Sequence, residues 1–293
     1  MKKWVFWLFI VILLFGFEAM RVREKPEVAN VDLHSENYQV VEVSSQGTDQ
    51  SDHTVELGSD QIYRGDLLLV NKEYPVHPAG VTSDVVNLFQ NKKLVQGYGL
   101  LDSSIQLSQG VAQQFRTMIE AAKKDGVRHF LISSGYRSED DQNRLYEEKG
   151  ADYALPAGYS EHNLGLSLDI GSSEKAMEQA DEGKWLKKNA SKYGFILRYP
   201  KDKSGITGIQ YEPWHYRYVG LPHSVIMQEK NLTLEQYLDF LKAQNTYTTT
   251  INHKEYEISY YPIVKNTMIL VPTDRHYEVS GNNMDGVIMT LHP

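Results

Sequence analysis

The sequence predicts an α+β fold, and three observations carry that reading. Short apolar runs of strand character alternate with amphipathic helical stretches between about residues 60 and 243. From about residue 244 the composition shifts to Thr, Tyr, Ile and Val in polar alternation, which reads as a small β-rich appendage. Ahead of both lie an apolar run and a polar stretch without such a pattern, so four segments are expected: 1–20, 21–58, 59–243 and 244–293.

The first segment has the layout of an export signal, Lys2 and Lys3 followed by the unbroken apolar run Trp4 to Phe17. Glu18, Ala19, Met20 and Arg21 offer no small-x-small cleavage site, so the expectation is a retained single-pass membrane anchor, with a cleaved and secreted form as the alternative. Either outcome places the remainder outside the cytoplasmic membrane. Residues 21–58 are rich in Ser, Gln, Glu and Asp and read as a solvated linker.

Within 59–243, the run Asp66 to Asn71 (DLLLVN) reads as a strand closed by the Pro75 and Pro78 region. Ser108 is the N-cap of a helix through Gln113, Phe115, Met118, Ile119 and Ala122 that stops at Gly126. A strand follows over His129 to Ser133. Ser138 then caps a helix over Glu139 to Lys149 with an acidic first turn, ended by Gly150, and Arg137 sits just before it. In the strand Gly165 to Ile170, Leu164, Leu166 and Leu168 alternate with Gly165, Ser167 and Asp169, which turns Asp169 away from the leucines. A helix over Asp181 to Tyr193 ends at Gly194, and FILRYP is a strand stopped by Pro200. In YEPWHYRYVG, Pro213 excludes a helix interior and leaves a strand or loop, and Leu232 to Ala243 is an amphipathic helix.

Composition narrows the chemistry. The net charge is −8 with no long run of Lys or Arg, so the electrostatic footprint of a nucleic-acid partner is missing. With no Cys in the chain, a disulfide framework, a thiolate metal site and a Cys nucleophile are all excluded. Any metal must therefore sit on His, Asp or Glu. Catalytic zinc takes three such ligands with one position open, plus a nearby carboxylate to move a proton. Two segments supply those parts: SEHNLGLSLD, from Ser160 to Asp169, and EPWH, from Glu212 to His215. Taken singly, each residue has an ordinary explanation: a surface His, a turn-capping Asp, a solvated Glu, a core Trp. Spacing alone leaves the metal site and the ordinary explanation evenly matched.

The pattern S-x-H-x-x-G-x-x-x-D followed by E-x-W-H-x-x-x-x-G resembles the metal signature of the M15 metallopeptidases, with Ser160, His162, Gly165, Asp169, Glu212, Trp214, His215 and Gly220 filling it. SGYRS with Gln142 resembles the substrate-binding segment of that family, and LLLVN the start of its catalytic domain. The runs YALPAGYSEHN and YGFILRYP and the N-terminal apolar run extend the likeness to the VanY-type D,D-carboxypeptidases of glycopeptide resistance. The resemblance implies a small, mostly antiparallel sheet with helices packed on it, the fold shared with hedgehog-like proteins. It implies one zinc ion on His162, Asp169 and His215, and Glu212 as catalytic base. Arg137 would stabilise the oxyanion or grip the substrate carboxylate, and Gln142, Ser160 and Trp214 would contact substrate. The implied reaction removes the C-terminal D-Ala from peptidoglycan pentapeptide precursors or muropeptides ending in D-Ala-D-Ala. An L,D-carboxypeptidase acting on tetrapeptides and a non-catalytic wall-binding module stay open as alternatives. A cytoplasmic dipeptidase would not need the export segment.

Overall fold

The computed structural model of the chain describes residues 39–41, 53–150 and 155–293. The apolar run Trp4 to Phe17 lies outside them. Among the described residues no helix is long and apolar enough to cross a membrane.

The alternating leucines build the centre. Leu164, Leu166, Leu168 and Ile170 are all buried, and Ser167–Ser172 is the middle strand of the largest sheet among the described residues. Across that sheet the strands run Gly99–Leu100, Phe130–Ser134, Ser167–Ser172, His215–Tyr218 and Phe195–Leu197. Only the first pair is parallel, so the sheet is mostly antiparallel. The middle strand starts later than the sequence suggests because Gly165 adopts φ +86°, outside the β region. A Cβ there would lie 2.6 Å from Thr82 Oγ1, so the motif glycine is required both for its conformation and for space.

Helix ends follow their caps. Ser108 accepts the N–H of Val111 to open Gln109–Lys124, whose buried face of Val111, Phe115, Met118 and Ile119 packs into one core with Phe130, Ile132 and Leu168. Phe115 has no exposed surface, and truncating it to Ala would cost about 3–5 kcal/mol. Ser138 accepts from Asp141 N–H at the start of Glu139–Lys149. The third helix, Asp181–Asn189, tightens into the 3₁₀ turn Ala190–Tyr193 and stops at Gly194, φ +88°. Thr233 caps Leu234–Gln244, so that helix begins two residues beyond Leu232.

Three of the expected segments are corrected. The run Asp66 to Asn71 is not a strand. Its side chains alternate between two cores, Leu68 and Val70 in the one under the main sheet, Leu67 and Leu69 in a second with Leu234, Leu238 and Ile288. Its polar groups are met from elsewhere in the fold. The Arg217 guanidinium donates to the carbonyls of Asp66 and Leu68 at 2.9 and 3.0 Å, and the Asn283 amide to that of Leu69 at 2.8 Å.

Nor is 21–58 a linker throughout. Gln39–Val41 and His53–Leu57 flank Thr267–Val271 in a further sheet, where buried Leu57 and half-buried Val55 join Ile269 and Val271. HTVEL has the alternation of a half-buried strand, masked in sequence by its polar neighbours.

The C-terminal part is β-rich as expected. Its strands lie in the order Thr246–Ile251, Lys254–Pro262, Gly286–Leu291 and Tyr277–Gly281, all antiparallel. It is not an appendage, because Ile258, Tyr260 and Ile288 share the second core with Leu67, Leu69, Ile196 and Val219.

Candidate active site

The sheet brings the two motif segments together. Asp169 lies directly opposite His215 in the antiparallel pair formed by Ser167–Ser172 and His215–Tyr218. His162 sits in the 3₁₀ turn Glu161–Asn163 that leads into the first of these strands. Glu212 and Trp214 belong to the turn that leads into the second, closed by donation from His215 N–H to the Glu212 carbonyl at 3.2 Å. Pro213 takes the second position of that turn, which its fixed φ favours.

His162, Asp169 and His215 each offer a ligand atom within 4.8 Å of the others. His162 Nδ1 lies 2.6 Å from the Gly135 carbonyl, which can only accept, so Nδ1 carries the proton and Nε2 is left as a lone pair facing Asp169 Oδ1 at 3.4 Å. His215 Nε2 lies 3.3 Å from Glu161 Oε2, and its Nδ1 faces the same Asp169 oxygen at 3.1 Å. Three lone-pair atoms facing one another require a proton or a cation between them. Burial pulls the His215 imidazole down, but Asp169 and Glu161 outweigh it and push the group up to about 9, which shows how strongly these two carboxylates favour positive charge at this point. The donor set of two imidazoles and a carboxylate, each imidazole held through its second nitrogen, fits zinc.

The remaining predicted residues line the same cavity of about 330 Å³: Arg137, Gln142, Ser160, Glu212 and Trp214. Burial raises the Glu212 carboxyl above the ordinary glutamate range; His215 opposes this and Asp169 adds to it. Glu212 Oε2 lies 3.9 Å from His215 Nδ1. Arg137 has a buried Nε without a hydrogen-bond partner. Gln142 is the one buried residue of its helix, with Nε2 donating to the Leu155 carbonyl at 2.6 Å and Oε1 left unpaired. Ser160 is committed locally, its hydroxyl accepting from His162 N–H at 3.4 Å, and Trp214 is exposed at the rim.

The sequence reading missed Glu161. Its carboxylate is fully buried and accepts from Arg198 Nε at 2.8 Å, Arg217 Nη1 at 2.9 Å, Ser167 Oγ at 3.1 Å and His215 Nε2 at 3.3 Å. Burial would raise this carboxyl, yet the two guanidiniums and His215 hold it well below the usual carboxylate range. Arg198 also makes a two-pronged pair with Glu235 at 3.0 and 2.7 Å, so two cations are matched by two anions. Tyr199 was missed as well; its ring lies 4.8 Å from that of His215 in the cavity wall.

Comparison with known proteins decides the family. The VanY family model, a D-alanyl-D-alanine carboxypeptidase, matches residues 104–221. A D-alanyl-D-alanine carboxypeptidase of Enterococcus faecium is 53% identical over 298 residues, covering 100% of this chain and 97% of that protein. The chain belongs to the VanY family.

Two solved structures extend the likeness of this VanY-family chain. The vancomycin resistance D,D-dipeptidase VanXYg, bound to a D-Ala-D-Ala phosphinate analogue, is 34% identical with a TM-score of 0.73, covering 83% of this chain and 100% of that one. The L,D-carboxypeptidase LdcB is 32% identical with a TM-score of 0.52, covering 73% of this chain and 93% of that one.

Proposed function

We propose that this VanY-family chain is a zinc-dependent D,D-carboxypeptidase that removes the C-terminal D-Ala from peptidoglycan precursors ending in D-Ala-D-Ala, and thereby contributes to glycopeptide (vancomycin) resistance. The observation that carries the reading is the convergence of His162, Asp169 and His215, with Glu212 and Arg137 in the same cavity. The activity named for the E. faecium relative, alike along its whole length, supports the substrate class.

His162 Nε2, the Asp169 carboxylate and His215 Nδ1 would hold the zinc, and bound there it supplies polarisation of the scissile carbonyl and acidification of water. Glu212 takes the proton of the attacking water as the water oxygen adds to the carbonyl carbon. The peptide C–N bond then breaks as that proton passes to the departing D-Ala amine. The upward push on its carboxyl suits Glu212 to holding the proton between the two transfers. Arg137, a cavity-lining guanidinium whose buried Nε has no hydrogen-bond partner, meets negative charge, either the developing oxyanion or the substrate carboxylate. Gln142, whose buried Oε1 is unpaired, lines the cavity with Ser160 and Trp214, and these three contribute to its walls.

Lys2, Lys3 and the apolar run Trp4 to Phe17 support a single-pass anchor that holds the catalytic domain outside the cytoplasmic membrane, where its substrates are exposed; cleavage would give a secreted form. Membrane fractionation of chains with and without residues 1–20 tests the placement.

The activity is tested by release of D-Ala from acyl-D-Ala-D-Ala. Release that a chelator abolishes and zinc restores is expected; no release from the zinc-loaded chain would overturn the reading. The likeness to LdcB favours one further comparison, pentapeptide against tetrapeptide muropeptides. Loss of D-Ala from the pentapeptide alone supports the D,D reading, and loss from the tetrapeptide the L,D alternative.

A further inference from the structure

The C-terminal sheet carries a second trio with the spacing of the catalytic one. Among the described residues, His276, Glu278 and His292 form the other group whose ligand atoms all lie within 4.8 Å of one another. Strand geometry puts them there. The period of two places His276 and Glu278 on one face, and the pairing of Tyr277 with Leu291 brings His276 opposite His292.

The distances match those of the active site. His292 Nε2 lies 3.4 Å from Glu278 Oε2, as His162 Nε2 does from Asp169 Oδ1. The two imidazole centroids are 5.1 Å apart, against 4.9 Å for His162 and His215. His292 is also held in place. Its N–H donates to the His276 carbonyl at 2.8 Å, Arg275 Nε donates to the His292 carbonyl at 3.0 Å, and Tyr256 lies edge-on at 5.6 Å. Its Nε2 is nevertheless buried without a hydrogen-bond partner, a cost that a bound ligand would relieve. His276 and Glu278 are exposed, so the trio is open to metal from solvent and leaves room for a water as fourth ligand.

We propose that His276, Glu278 and His292 form a second, non-catalytic zinc site that clips the residue following Gly286–Leu291 to the residues that open Tyr277–Gly281. The donor set, two imidazoles and one carboxylate, suits zinc better than calcium or magnesium, which want an all-oxygen shell.

The test counts zinc bound per chain on the full-length, untagged protein, stripped with a chelator and titrated with Zn2+. The double variant His276→Ala/His292→Ala is expected to bind one zinc fewer than the parent while releasing D-Ala at the parent rate, which also shows that it is folded. Glu278→Gln, milder at an exposed position, should weaken that same equivalent about tenfold or more. Equal zinc counts in the parent and the double variant would overturn the proposal. Should the double variant fail to fold, Glu278→Gln decides alone: unchanged affinity for every equivalent overturns the site.

Discussion

Glu212 and Glu161 are two acids beside one histidine; burial pushes both upward, and their charged neighbours decide the outcome in opposite ways. Glu212 faces the cavity with no guanidinium bonded to it and is pushed toward the protonated form, whereas Glu161 is clasped by two guanidiniums and held ionised. Their loss should therefore differ in kind. Glu212→Ala is expected to keep zinc and lose at least ~100-fold in kcat, measured on acyl-D-Ala-D-Ala alongside metal analysis. Glu161→Gln should weaken zinc about 10–100-fold in a chelator competition, since His215 loses the acceptor that fixes its tautomer. The same change should lower stability by about 3–5 kcal/mol, because Arg217 loses its bonded carboxylate in the interior. A variant with weakened metal and unchanged thermal unfolding would contradict that second part. The grouping of His162, Asp169 and His215, with Glu212 in the same cavity, was readable in the sequence through a complete motif, but the place of Glu161 was not. An acid next to a candidate ligand shows nothing of its burial; the available signal was Arg198 and Arg217, each set among apolar or aromatic neighbours.

Elements bounded by local chemistry were the readable ones. Ser108 and Ser138 cap the helices they were expected to cap, and Gly194 ends its segment, because the deciding interactions span only a few residues. The run Asp66 to Asn71 was misread because its hydrogen-bond partners, Arg217 and Asn283, lie far along the chain. His223 shows a comparable long-range tie. It opens the helix His223–Lys230 and bonds the Tyr237 hydroxyl at 2.8 Å and Thr290 Oγ1 at 3.1 Å, joining two helices and a C-terminal strand. Burial, with a smaller push from His292, lowers its imidazole to about 3. An unfolded His titrates near 6.5, so between there and about 3 the unfolded chain binds a proton that the folded chain refuses. Stability should thus fall as pH drops through that window, at up to about 1.4 kcal/mol per pH unit. Denaturant unfolding of His223→Gln across the same range should show a shallower pH slope than the parent; equal slopes would exclude this histidine as the source.

For the molecule as a whole, the C-terminal strands are structural partners of the catalytic sheet. Composition marked residues 244–293 as a separate unit, since a change in residue usage carries no information about where a face is buried. Truncation after Ala243 would remove Ile258, Tyr260 and Ile288 from the second core and leave Leu67 and Leu69 against solvent. The truncated chain is expected to be insoluble or to lose cooperative unfolding, rather than to persist as an active core. A soluble fragment with parental D-Ala release would show that the two parts fold independently.

The segment Leu67 to Val70 carries a further implication. Neighbouring side chains there serve different cores, so their order works like a reading frame. Exchanging one aliphatic residue for another alters a volume at a single position. Inserting or deleting one residue would instead send each of the following side chains to the wrong core and slip the carbonyls past Arg217 and Asn283. At this seam, the number of residues matters more to the protein than their identity.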